Sequence, residues 1–299
     1  MLEVLEVLKV LEGPSLLAAV VLLPASALLA QRTETGRMRW DGVERTYTVR
    51  VPRSGDSARA VPLVIALHGR GGSGQRMVRW SGFDAKADEA GFLLVAPEGT
   101  GDPRGWSTGF APGGAVDDVG FIGALIDTLS ARYPVDSKRV YVAGHSNGGI
   151  LAHRVASDLS SRVAAAAVVA GAIGVRSGAG SVTRIETPRA PVPIMIIHGD
   201  ADAVVPYDAI ALSPRGSRPI PAPEAARFWA RANECAVTEP QRDTIAAGQV
   251  LRDRWETRCR APVVFLTVRG GDHGWPHTGR GAALNATDAI WEFFATRER

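Results

Sequence analysis

Gly144-His145-Ser146-Asn147-Gly148 fits the pattern G-x-S-x-G, which sets a serine on a tight, strained turn between a strand and a helix. Side chains at the two glycine positions would collide with the neighbouring strand and helix. Gly105-Trp106-Ser107-Thr108-Gly109 fits as well, so in a chain with 33 glycines the pattern alone carries little weight. Context separates them. Ser146 follows the apolar run RVYVAG and opens the helical run GGILAHRVASDL, whereas Ser107 lies between GDPR and FAPGG, with neither a strand before it nor a helix after it. Ser146 is the candidate nucleophile.

A serine hydroxyl is a poor nucleophile at neutral pH and needs a base, and the base needs a carboxylate to fix its tautomer and balance its charge. On a strand-turn-helix serine these partners follow in the order acid, then histidine. Of six histidines only His273 and His277 lie beyond the last apolar run, PVVFLTVRG. His273 comes first, in GGDHGWP, where glycines allow a loop to reach the serine, and is preferred over His277. The acid belongs in the turn after PIMIIHG, which offers Asp200 and Asp202. Asp200 suits capping of its own turn. Asp202, ahead of the apolar AVVPY expected to lean back on the sheet, is the preferred acid. The oxyanion of an acyl-transfer intermediate needs preorganised amides. Asn147, directly after the serine, supplies one, and Arg70 in the glycine-rich loop from His68 to Gly74 is chosen for the other. A phosphate loop is not indicated, since no Lys-Ser/Thr follows these glycines.

To position such a set, the chain needs a sheet whose strands end at one mouth. From Arg45 onward, short apolar runs ended by glycine alternate with helical stretches, the pattern of a mostly parallel sheet covered on both faces. RTYTVRV (45–51) alternates like an edge strand. PLVIALHG, FLLVAPEG, RVYVAG, AAAAVVAG, PIMIIHG and PVVFLTVRG are expected as buried central strands. Helices are expected over 118–133, with Asp117 and Asp118 as amino-terminal cap, and over 285–297. The Pro- and Gly-rich 213–223 is expected as a loop edging the site.

At 299 residues, 45% apolar and 22% charged, the chain suits one α/β domain rather than a disordered or fibrous protein. Its formal charge of +3 is spread over scattered arginines, which points to neither nucleic acid nor a membrane surface as partner. Ser15 to Ala30 is an uncharged apolar run with small residues at its end, broken by Pro24 and too short to span a bilayer. Residues 1–30 therefore read as a signal peptide, followed by a single domain over 31–299 and a secreted location, periplasmic or extracellular. Glu3, Glu6 and Glu12 against Lys9 depart from the positive start of such a signal, and a retained amphipathic helix is the other reading. Cys235 and Cys259 can pair in an oxidising compartment, and two free thiols are the alternative. Trp106 and Trp275, on loops near the candidate site, suit either substrate stacking or loop packing. No metal or cofactor is called for, and a monomer is expected.

LHGRGGSG at Leu67, APEGT at Ala96, DDVGFIGALID at Asp117, GHSNGG at Gly144, HGDADAVVPY at His198 and GGDHGWP at Gly271 resemble, in order, the blocks of the polyhydroxybutyrate depolymerase and feruloyl esterase type enzymes among the α/β-hydrolases. The resemblance runs from about Arg45 to the end. It implies an α/β-hydrolase fold with a mostly parallel sheet and helices on both faces. It also implies Ser146 as nucleophile, Asp202 as acid, His273 as base, an oxyanion hole near Arg70 and Asn147, a Cys235–Cys259 disulfide, and Trp275 lining the acyl pocket. The family often carries a small residue or Cys where Arg70 stands. The expected activity is that of a secreted serine carboxylic ester hydrolase working through an acyl-enzyme on an ester substrate. An acyltransferase on the same triad, or a non-catalytic polymer-binding protein of this fold, are the alternatives.

Overall fold

The computed structural model describes residues 32–52, 59–109, 116–177, 180–208, 217–236 and 239–299. The expected signal peptide lies outside them. In chain order the strands are β1 (Arg32–Trp40), β2 (Val43–Val51), β3 (Val61–Leu67), β4 (Leu93–Pro97), β5 (Val135–His145), β6 (Ala165–Val169), β7 (Gly174–Ser177), β8 (Val182–Arg184), β9 (Ile194–Gly199), β10 (Ser217–Pro219), β11 (Gln241–Ile245), β12 (Val250–Trp255) and β13 (Val263–Val268). The α-helices are α1 (Gly74–Ser81), α2 (Phe83–Ala90), α3 (Asp118–Arg132), α4 (Asn147–Asp158), α5 (Ala222–Ala232) and α6 (Ala286–Ala295).

Ten strands form one sheet in the order β1-β2-β4-β3-β5-β6-β9-β13-β12-β11. From β4 to β13 neighbouring strands run parallel, and the flanking pairs are antiparallel. Apolar residues are buried on both faces of each central strand, because helices cover both sides. Along β3, Leu63, Ile65 and Leu67 meet α3, α4 and α5 in one core cluster, while Val64 and Ala66 join Met77, Phe83, Ile290 and Phe294 of α1, α2 and α6 in the other. This is the mostly parallel sheet covered on both faces that the alternating pattern implies, and it agrees with the α/β-hydrolase fold that the resemblance implies.

Each of the six apolar runs contains a strand, as does the alternating RTYTVRV, and the expected helices are α3 and α6. The expected edge strand differs, since β2 has β1 beyond it. Asp41 and Gly42, both at positive φ, turn β1 back onto β2 as a two-residue hairpin. The sequence RTETGRMRW that forms β1 is polar on most positions and gives little periodic signal. Residues 213–223 also differ from a plain loop. Residues 213–216 lie outside the described residues, Ser217–Pro219 pairs with β7 in a small separate sheet, and Ala222 opens α5. Cys235, just after α5, and Cys259, between β12 and β13, form a disulfide with Cα atoms 4.0 Å apart. Among the described residues no helix is long and apolar enough to cross a membrane.

Candidate active site

β5 ends at His145, Ser146 follows with φ 54° and ψ −120°, and α4 begins at Asn147. A non-glycine residue in that region carries on the order of 1–3 kcal/mol of strain. Packing holds it there: a Cβ at Gly144 would run into the Gly148 carbonyl, and one at Gly148 into the Leu67 and His68 carbonyls of the neighbouring strand. The Ser146 amide is tied to the Val169 carbonyl at 2.9 Å, so the turn is fixed to β6. The side chain is left at the carboxyl end of the parallel strands.

There it meets the two other residues singled out from the sequence. Ser146 Oγ lies 2.8 Å from His273 Nε2, and His273 Nδ1 lies 2.7 Å from Asp202 Oδ2, although 127 and 71 residues separate the partners. The carboxylate can only accept, so the ring proton sits on Nδ1 and Nε2 faces the hydroxyl as an acceptor. Asp202 is fully buried at its side chain, and its Oδ1 accepts the amides of Val204 and Val205 at 2.8 and 2.9 Å. Burial alone would push its carboxyl up. Hydrogen bonds from His198, His273 and the Val205 amide outweigh that and hold it well below the ordinary carboxylate range. Asp200 instead accepts the Gly270 amide at 2.6 Å, so it caps the turn after β13 rather than its own, and His277 accepts the Gly279 amide at 3.0 Å. Neither contacts Ser146. Tyr207 of the AVVPY segment stacks on Phe265 of the sheet as expected, but Val204 does not lean back: it is 67% exposed and lines the cleft.

Three further histidines brace the constellation, a role that spacing did not reveal. His145 Nε2 lies 2.7 Å from the His273 backbone carbonyl, so a neutral ring donates to it and anchors the loop that carries the base. His198 Nε2 lies 2.8 Å from the Val205 carbonyl and 3.3 Å from Asp202 Oδ2, sharing its proton between the acid and the acid's turn. His68 accepts the Gly99 amide at Nε2 and reaches the Gly69 carbonyl through Nδ1.

Burial holds His145 down to about 4 and His153, deeper in the core, down to about 3, with His68 lowered for the same reason. The unfolded chain takes these protons below its ordinary value near 6.5, while the folded chain refuses them until far lower pH. Unfolding free energy should therefore fall as pH drops from about 6.5 towards 4, by up to about 1.4 kcal/mol per pH unit for each such group. His153→Gln keeps an acceptor for the Trp229 indole N–H, which His153 Nδ1 receives at 3.0 Å, and removes the titration. Denaturant unfolding at pH 7 and pH 5 should show a shallower loss in this variant. Parallel slopes in the two proteins would count against it.

Asn147 opens α4 directly after the serine, and Arg70 lies in the loop after β3 and lines the same cleft as Ser146. Among the described residues neither amide donates a hydrogen bond to another group. That loop is held from behind. Gly71 donates to the Arg104 carbonyl at 2.6 Å, and Gly74 donates to Glu98 Oε1 at 2.9 Å. The Asn147 side chain clasps Trp106, accepting its amide at 2.7 Å and donating to its carbonyl at 3.2 Å. Asp118 differs from the expected cap. Asp117 caps α3 through the Gly120 amide, whereas Asp118 is buried, accepts from Arg45 Nη2 at 2.7 Å and holds the Ser107 amide at 2.7 Å. Ser107, the second serine in a G-x-S-x-G pattern, is thus part of a brace for the Trp106 loop.

The two tryptophans singled out for stacking are interior. Trp106 is 6% exposed and donates its indole N–H to the His68 carbonyl at 2.7 Å. Trp275 is 3% exposed, donates to Thr287 Oγ1 at 3.0 Å and packs edge-on against Phe83. Neither lines the cleft beside Ser146, and both indole N–H groups have their partners in the interior. The cleft, about 360 Å³, is walled instead by Met77 and Trp80 of α1, by Val204, and by the 69–73 loop. Trp80 sits on the amphipathic α1, which lacks a strong start signal beyond Ser73, whose hydroxyl caps it by accepting the Arg76 amide at 3.2 Å.

Residues 45–187 match the family described as Esterase PHB depolymerase. A Nocardia uniformis subsp. tsuyamanensis protein named as an esterase, NocK, is 35% identical over 250 residues, covering 76% of this chain and 70% of its own. Feruloyl esterase C of Emericella nidulans is 27% identical over 257 residues, covering 84% of this chain and 83% of its own. An acetyl xylan esterase from Aspergillus awamori shares the fold, with a TM-score of 0.60 at 16% identity over 88% of this chain and 99% of that one. The sheet order, the strained serine turn and these likenesses agree: the chain belongs to the esterase PHB depolymerase family and is a carboxylic ester hydrolase of the α/β-hydrolase fold.

Proposed function

We propose that the protein is an exported serine esterase in which Ser146 is the nucleophile, His273 the general base and Asp202 the acid that orients it. The observation that carries this reading is the continuous line of hydrogen bonds from Asp202 through His273 to Ser146. His273 Nε2 takes the hydroxyl proton as Ser146 Oγ bonds to the ester carbonyl carbon, and Asp202 steadies the imidazolium that forms. The tetrahedral oxyanion lies against the Asn147 and Arg70 amides, and each such donor is worth about 100 to 1,000-fold in rate. As the C–O bond to the alcohol breaks, the imidazolium returns its proton to the departing oxygen. Water then enters, gives a proton to His273 and bonds to the acyl carbon. Breakdown of that second intermediate reforms the serine and releases the acid.

Residues 1–30 act as the export signal in this reading, 31–299 as the hydrolase domain, and the paired Cys235 and Cys259 suit an oxidising compartment. A fluorophosphonate probe reports the activated hydroxyl directly. It is expected to add one phosphonyl group to the peptide bearing Ser146, seen by mass spectrometry, and to abolish ester hydrolysis in step. A protein that hydrolyses esters while Ser146 stays unlabelled would overturn the assignment.

A further inference from the structure

We propose that the Ser146 cleft prefers esters carrying a free carboxylate, held by Arg70 and Arg76. The inference rests on the serine-esterase reading and deepens it. Two arginines line this mouth and a third, Arg104, lies behind the 69–73 loop, and they are not equivalent. Arg104 is neutralised by Glu98 at 2.9 Å. Arg70 and Arg76 both line the cleft and are solvent-exposed, and among the described residues neither forms an ion pair. No carboxylate lines the cleft beside them. Acids around the site are engaged elsewhere: Asp202 is buried behind His273, Glu98 holds Gly74 and Arg104, and Asp272 accepts the Gly274 amide.

The remaining wall is apolar, made by Met77, Trp80 and Val204. A cleft with an apolar wall and two unpaired guanidinium groups on one side matches an ester with a hydrocarbon body and an anionic end. Guanidinium groups bind carboxylates through paired, charge-assisted hydrogen bonds, which a neutral ester cannot accept with equal strength. The positions also link charge to chemistry. Arg70 is the residue assigned to the oxyanion hole in the serine-esterase reading and lines the same cleft as Ser146 and His273, so its side chain starts beside the reacting centre. Arg76 lies six residues on, in the first turn of α1, on the same lining.

Two matched pairs of esters test this, one with the carboxylate on the acyl side and one with it on the alcohol side. Monoethyl adipate is compared with ethyl hexanoate, and 3-acetoxybenzoate with phenyl acetate, by acid release at constant pH. In at least one pair kcat/KM should favour the carboxylate member by about tenfold, the size expected of charged contacts in a solvent-exposed cleft. That ratio should fall towards one in the Arg70→Gln/Arg76→Gln double variant, and should shrink as sodium chloride is raised to about 1 M, where screening reaches ~3 Å. The ratio is the readout, so a general loss of activity in the variant does not imitate the effect. A ratio at or below one in both pairs, or one that survives the double substitution, overturns the proposal. Hydrolysis of the neutral members by the unaltered enzyme keeps the failures distinct: activity without preference removes only the anion assignment, whereas inactivity on all four esters removes the triad reading beneath it.

Discussion

Ser146→Ala is expected to lower kcat for a nitrophenyl ester about a million-fold, the scale seen when a triad serine is removed from a serine hydrolase. The substitution deletes the atom proposed to form the acyl-enzyme while leaving the cleft and the His273–Asp202 pair in place. The Ser146 hydroxyl makes its hydrogen bond to His273 and none to the backbone frame, so the fold does not depend on it. The backbone at φ 54° is held by the Gly144 and Gly148 contacts and the Val169 carbonyl, which alanine retains. Thermal unfolding followed by circular dichroism should therefore stay close to that of the unaltered protein. A variant keeping more than a tenth of the starting rate would end the assignment of Ser146.

His273→Ala should cost nearly as much, again on the order of a million-fold in kcat, because triad members act as a unit and the serine without its base is an ordinary alcohol. The main chain of residue 273 still offers its carbonyl to His145, so the loop keeps that anchor. The imidazole is partly exposed, with 19% of its side chain open to solvent, which leaves a path to the vacated position. Added imidazole is accordingly expected to restore a measurable part of the rate in His273→Ala and none in Ser146→Ala. That contrast separates loss of a base from damage to the fold, since a collapsed site would respond to imidazole in neither case. A loss of less than about tenfold in His273→Ala would exclude His273 as the base.

The most legible part of the chain was local. A strand, a serine between glycines and a helix are consecutive in sequence, so the contrast between the Ser146 and Ser107 contexts needed no tertiary information. The glycine-ended apolar runs were equally plain, because strands buried on both faces must be apolar at nearly every position. The order of acid and histidine narrowed the partners to two aspartates and two histidines, and the structure brings Asp202 and His273 to the serine while Asp200 caps the turn after β13 and His277 serves its own turn.

What the sequence determined by itself was the alternation of strands and helices, the turn that presents Ser146 and the short set of residues able to serve it, all consequences of neighbours along the chain. Only the tertiary structure decided which tryptophan faces the cleft. Trp106, Trp275 and Trp80 look alike as letters, but two of them turn inward to satisfy their indole N–H groups on His68 and Thr287. The same holds for Asp118, drawn from a helix cap into a buried pair with Arg45, 73 residues away, and for His145 and His198, which brace the base and the acid. Such partners are set by burial, where a polar group must find whatever complement folding brings within reach, and no spacing along the chain encodes that choice.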